Sequence, residues 1–184
     1  MQSEPGEGVR ASLFAVVSYI PDPLGSWIDN VRQELVPGCS LRAHVTILPP
    51  RLLCQRTDAA LELIRKGLRG VAPFDLRVGE VEVFSISSVV FLGVTEGFQE
   101  LCRLHERLNT DGLVCREAYP YHPHITLAQQ LAPEQMAGVY EFARRRWAEY
   151  RGARSFAVDR VTFVRGETLD HWIDLAECPI GRGQ

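Results

Sequence analysis

The chain has 184 residues, with 20 Lys and Arg against 23 Asp and Glu, and is 46% hydrophobic and 23% charged. That length bounds it to one domain or two closely packed lobes with a sizeable core, and the composition is that of an ordinary soluble globular protein. A pI near 6.0 excludes a protein that wraps long duplex nucleic acid by neutralising phosphates, though not one that grips a nucleotide or an RNA end.

No apolar run reaches the roughly 18 residues of a membrane span, so no membrane association is expected. The polar start from Met1 to Arg10 carries Glu4 and Glu7 and lacks an apolar core. It reads as a flexible N-terminus rather than a signal peptide. Five cysteines form an odd set without any C-x-x-C pair. The expectation is reduced thiols in a cytoplasmic protein, with no thiolate metal site.

In chain order, Ser12 to Ile20 is an apolar β-branched run and reads as a buried strand. Asp22 and Pro23 then open a helix carrying Leu24, Trp27, Ile28, Val31 and Leu35, with Gly38 as its stop. Leu41 to Leu48 is a strand ended by Pro49-Pro50, and Thr57 to Arg69 a second helix. Phe74, Leu76 and Val78 alternate before the phase slips to Val81 and Val83 across Gly79, which predicts a bulge or bend. Ile86 to Thr95 is a strand and Phe98 to Leu108 a helix. The strand Pro123 to Gln129 and a helix from Pro133 come next, and strands at Ser155 to Val164 and Leu169 to Ala176 close the chain. About seven strands and four helices in mixed order give an α+β fold.

Two strands share a pattern. Arg42-Ala43-His44-Val45-Thr46-Ile47-Leu48 matches His122-Pro123-His124-Ile125-Thr126-Leu127-Ala128 at an offset of 80. Leu76, Val78, Val81 and Val83 return at the same offset as Phe156, Val158, Val161 and Phe163. One His-x-Thr tripeptide arises easily by chance; two at one offset, each in a strand followed by a helix and a matching strand, indicate a duplication. The halves are taken as roughly 11–95 and 96–184 of a single domain spanning 11–184.

Residues two apart in a strand share a face, so Arg42, His44 and Thr46 point one way, as do His122, His124 and Thr126. Facing each other across a groove, the two sets supply two imidazoles and two hydroxyls. That inventory suits acid–base cleavage of a phosphodiester. One imidazole accepts a proton from the nucleophile, the other donates to the leaving oxygen, and the threonines bind phosphate oxygens. No cofactor is required.

His44-Val45-Thr46-Ile47 and Tyr121-His122-Pro123-His124-Ile125-Thr126-Leu127-Ala128 resemble the signatures of the 2H phosphoesterase superfamily, and within it the 2′-5′ RNA ligase-like family. The resemblance implies a bilobal fold, with two antiparallel sheets forming a central cleft and helices on the outside. It also implies metal-independent hydrolysis of 2′,3′-cyclic phosphates on RNA ends or nucleotides, with some relatives joining RNA ends in reverse. By motif position, His44 and His124 are the catalytic pair and Thr46 and Thr126 bind phosphate. Relatives often carry Arg or Lys at the positions of His122 and Gln129, so the positive field here is weaker.

Other readings sit beside these. Arg42, His122 and Tyr121 are candidates for substrate contact, against solvated or packed roles. His122-Pro123-His124 with His44 offers three imidazoles for a metal, but no acidic or thiol ligand shares their strand faces, which favours acid–base chemistry. His105 reads as packed at a partly buried helix face, and the run Arg144-Arg145-Arg146 as a solvated one. A non-catalytic module binding nucleotides or RNA ends in the same cleft is the alternative function. Nothing demands more than a monomer.

Overall fold

The computed structural model describes residues 13–53, 55–166 and 171–181. The expected flexible start at residues 1–10, Cys54, and the beginning of the last expected strand at Leu169 lie outside them. The described elements run β1 (Leu13–Tyr19), α1 (Leu24–Leu35), β2 (His44–Leu52), α2 (Thr57–Leu68), β3 (Phe74–Phe84), β4 (Val89–Glu96) and α3 (Phe98–Leu108). After a short 3-10 turn at Asp111–Leu113 come β5 (His124–Ala128), α4 (Pro133–Glu149), β6 (Ser155–Val158), β7 (Arg160–Gly166) and β8 (Trp172–Pro179).

The strands form two antiparallel four-stranded sheets, ordered β2-β1-β7-β8 and β5-β4-β3-β6. This is a two-lobed α+β fold with helices on the outside of a central cleft. The duplication is visible in the pairing itself. Tyr19 and Val17 of β1 pair with His44 and Thr46, and Gly93 and Phe91 of β4 pair with His124 and Thr126. The strand β4, which a division at residue 95 leaves in the first half, therefore stands to β5 as β1 stands to β2.

Each sheet completes itself with a strand from the other repeat. In the first, β1 pairs with β7; in the second, β4 pairs with β3. Within the second sheet, β3 pairs with β6, placing Leu76 opposite Phe156, eighty residues apart. The approximate two-fold axis passes between these two residues. Its mark is that the pair Phe74 and Val158 has an image in the 2.8 Å bond from the Val78 N–H to the Arg154 carbonyl. The helices cross over as well, α1 packing against β5 and α3 against β2.

Local chemistry explains most boundaries. The N-cap of α1 is Pro23 rather than the expected Asp22, which stands one residue earlier and accepts the Ser26 N–H on its Oδ1 at 3.0 Å. The β3 register shifts between Val78 and Val81, the bulge that the phase slip at Gly79 predicts. Two further expectations need correction. First, β2 starts at His44 and runs through Pro49-Pro50 to Leu52, because it is an edge strand and a missing proline N–H there breaks no ladder. Second, the expected strand Ser155 to Val164 is two strands parted at Asp159. There the chain leaves the sheet of β3 and joins that of β1, so eight strands replace seven.

The main core holds Leu76, Ile28, Ile64, Leu101, Leu104 and Trp147, all at most 2% exposed, and it spans both sheets and the helices. Replacing Leu76 by Ala is expected to cost about 3 kcal/mol, read as a lower urea midpoint. Because the lobes share strands, tryptophan fluorescence and circular dichroism should still report one coincident transition; two separate transitions would show independent lobes.

A two-histidine cleft as the candidate active site

On β2, Val45 and Ile47 are fully buried while His44 and Thr46 are half-buried on the opposite face. On β5, Ile125 and Leu127 are buried while His124 and Thr126 are half-buried. The pleat does this sorting: apolar residues anchor each strand in the core, and their polar neighbours necessarily face the cleft. β2 and β5 end their respective sheets and come into contact with each other. Two edges carrying the same motif therefore meet across the cleft.

Both imidazoles are oriented in the same way. Nδ1 of His44 lies 2.7 Å from the Arg42 carbonyl, and Nδ1 of His124 lies 2.7 Å from the His122 carbonyl. A carbonyl can only accept, so each Nδ1 carries a proton and each Nε2 is left as the group for chemistry. Burial is the main influence on both and pushes their pKa values down, that of His44 to about 4. The carbonyl bonds act in the opposite sense and are outweighed. Charge on His124 further disfavours charge on His44, as expected of groups facing one space.

The flanks of the two histidines differ. Beside His44, the Tyr19 ring meets the imidazole edge-on at 6.4 Å and donates its hydroxyl to Asp174. The Arg42 guanidinium lies 3.7 Å over the Tyr19 ring, with Nη1 3.4 Å from Asp174. Arg42 is thus held at the exposed rim by a ring and a carboxylate. Beside His124, the strand neighbour is Gly93, where any side chain would run into the Glu82 carboxylate. The wall there is Phe84 stacked on Phe91 at 4.0 Å, with both rings edge-on to His124 at 5.1 and 5.2 Å.

The remaining candidates take distinct places. His122 is exposed, with its ring 5.2 to 6.0 Å from Phe84, Phe91 and Phe98. Tyr121 donates its hydroxyl to the Thr46 carbonyl at 2.7 Å and stacks on His105 at 3.9 Å, so its phenol is occupied by protein. Tyr19, Asp174 and Phe91 belong to the site surroundings but carry no motif that reveals them in the sequence. Among the described residues, no group of three or more His, Cys, Asp or Glu side chains is placed to hold a metal ion. The basic run on α4 is engaged with Glu34, Glu141 and Glu149 rather than the cleft.

A duplicated fold that brings one His-x-Thr strand from each repeat to a shared cleft is that of the 2H phosphoesterases. The chain belongs to the 2′-5′ RNA ligase superfamily, whose family model matches residues 20–170. A relative from Halalkalibacterium halodurans bearing the name "Putative phosphoesterase BH1439" is 28% identical over 127 residues, 67% of this chain and 74% of that protein. A second of the same description from Bacillus pumilus is 26% identical over 129 residues, covering 68% and 75%. In three dimensions the chain is similar to E. coli LigT, with a TM-score of 0.66 at 19% identity over 93% of this chain and 98% of LigT. It is also similar to TT0787 of Thermus thermophilus, with a TM-score of 0.61 at 18% identity over 91% and 97%.

The depressed pKa of His44 has a consequence for stability. Above its ordinary value of 6.5 the imidazole is neutral in both folded and unfolded chains; as pH falls, the unfolded chain takes up its proton first. The stabilisation is therefore lost on descending from 6.5 to about 4. Calorimetric scans should show the melting temperature falling across that window, and falling less steeply in His44→Gln. An equal slope in both proteins would refute the depressed value.

Proposed function

We propose that the protein is a phosphodiesterase that opens 2′,3′-cyclic phosphates on nucleotides or RNA ends by general acid–base catalysis, without a metal. The observation that carries this reading is the matched pair of imidazoles. Each has Nδ1 tied to a backbone carbonyl and Nε2 directed to a shared cleft, with a threonine two residues on along the same face.

The reaction needs little else. A neutral Nε2 accepts a proton as water attacks phosphorus, the bond from phosphorus to one ribose oxygen breaks, and the second imidazole, protonated, gives its proton to that oxygen. Breaking the bond to O2′ leaves a 3′-phosphate; breaking the bond to O3′ leaves a 2′-phosphate. In this reading the Thr46 and Thr126 hydroxyls donate to the non-bridging oxygens as charge builds there. The depressed pKa values keep the base unprotonated near neutral pH. The acid gains its proton when the anionic phosphate arrives, because a nearby negative charge favours imidazolium.

E. coli LigT has been crystallised with 3′-AMP, one of the two ring-opened isomers of such a substrate. With a 5′-hydroxyl as nucleophile in place of water and the bond from phosphorus to O3′ breaking, the same chemistry joins a 2′,3′-cyclic end through a 2′-5′ linkage. Arg42, held at the exposed rim by Tyr19 and Asp174, offers a cation for a further phosphate.

The test is incubation of the purified protein with the four 2′,3′-cyclic mononucleotides in excess EDTA, followed by phosphorus NMR. Conversion to a single monophosphate isomer is expected. His44→Ala and His124→Ala should each lose about 10²- to 10⁴-fold in rate, and Thr46→Ala or Thr126→Ala about 10²-fold. Loss of turnover in EDTA would overturn metal independence, and saturable binding without turnover would point to a binding module.

A further inference from the structure

Behind the cleft, two aromatic side chains from the second repeat grip the backbone of the first. Tyr121 stands three residues before His124, and its hydroxyl donates to the Thr46 carbonyl at 2.7 Å. His105, 7% exposed on α3, lies face to face with Tyr121 at 3.9 Å and 4°. Its Nδ1 donates to the Ile47 carbonyl, the next one along, at 2.8 Å. The two rings thus hold successive carbonyls of the strand that carries His44 and Thr46.

The grip is itself braced. Nε2 of His105 is 3.7 Å from the Glu117 carboxylate, which accepts Arg51 Nη2 at 2.8 Å. Arg51, 4% exposed, sits at the far end of β2 and gives Nη1 to Asn109 at 2.6 Å and to the Leu113 carbonyl at 2.8 Å. Burial raises the Tyr121 phenol well above the usual range, so it remains a donor at any ordinary pH. Packing alone does not call for this chemistry. Eighty residues earlier the duplication places Leu41, a side chain with no donor.

We propose that Tyr121 and His105 are positioning residues: the stacked pair sets the separation of the two His-x-Thr strands by fixing the Thr46-Ile47 backbone relative to His124. The assignment rests on the cleft being the active site as read above. Catalytic geometry tolerates little displacement; a shift of about 1 Å can cost about 10²-fold in rate. The Tyr121 hydroxyl is a single side chain linking one motif's backbone to the segment that leads into the other.

Four variants of the full chain test this: Tyr121→Phe removes only the hydroxyl, His105→Leu removes the donor, and His105→Asn restores a donor near the place of Nδ1. Leu104→Ala, a buried neighbour on α3, controls for lost stability alone. On 2′,3′-cyclic nucleotides, Tyr121→Phe and His105→Leu should lower kcat about ten- to a hundredfold with KM within about twofold, and His105→Asn should recover part of the loss. Nitrogen-15 spectra of the imidazoles, recorded with and without inorganic phosphate, should show displaced His44 and His124 signals in the same two variants and native positions in Leu104→Ala.

The spectra decide the matter even if the wild-type protein turns over none of these nucleotides, a result that would fail the functional reading instead. Native kcat and native imidazole signals in folded Tyr121→Phe and His105→Leu would overturn the proposal. So would losses no greater than those of Leu104→Ala.

Discussion

The fold depends on the exchange of strands between its two repeats. β7 completes the sheet of β1, β3 completes the sheet of β4, and β3 and β6 pair directly where Leu76 meets Phe156. Neither lobe can be withdrawn without stripping the other of a central ladder. The cleft is therefore a seam between two sheets, each built from strands of both repeats. Among the described residues no backbone ladder joins the two sheets; across the seam, Tyr121 and His105 of the second repeat hold the Thr46 and Ile47 carbonyls of β2. The four motif side chains on the two opposed edges are short, and none of them can reach far to correct a misplaced neighbour.

Within that frame the duplication is nearly symmetric in backbone and unsymmetric in chemistry. The burial alternation across residues 41–48 is repeated across 121–128, and both imidazoles take the same tautomer through the same carbonyl bond. What differs is one strand away. Tyr19 beside His44 anchors a polar wall with Arg42 and Asp174, while Gly93 beside His124 leaves a wall of Phe84 and Phe91. Desolvation outweighs the carbonyl bonds at both histidines, so the empty cleft favours neutral imidazole. A negative charge brought close to either ring acts against that balance, because it favours imidazolium.

Much of this was legible in the sequence, and the exceptions have physical causes. The helices α2 and α3 follow from apolar spacing, and the His-x-Thr faces from period two alone, because both signals are local. The continuation of β2 through Pro49-Pro50 was not legible, since whether a proline damages a strand depends on its edge position, which the sheet decides. The break at Asp159 was hidden for a similar reason: the residues on either side favour strands, and only the sheets they join differ. Tyr19 and Phe91 lie in strands buried on both faces, where no alternation distinguishes the cleft side. Tyr121 looked like a residue for substrate because it adjoins the motif, and only the fold reveals that its hydroxyl is already committed to Thr46.

The meeting of β2 and β5 has a meaning apart from chemistry. Each is the outermost strand of its sheet, and an outermost strand offers unpaired amides and carbonyls on which another molecule can build. In this protein these two edge strands are turned toward each other, and Pro49, Pro50 and Pro123 withhold amides along or beside them. The Thr46 and Ile47 carbonyls are occupied by Tyr121 and His105. The arrangement that brings the two His-x-Thr motifs together therefore also shields these strand edges from templating fibres, and whatever pries the sheets apart exposes both edges to self-association.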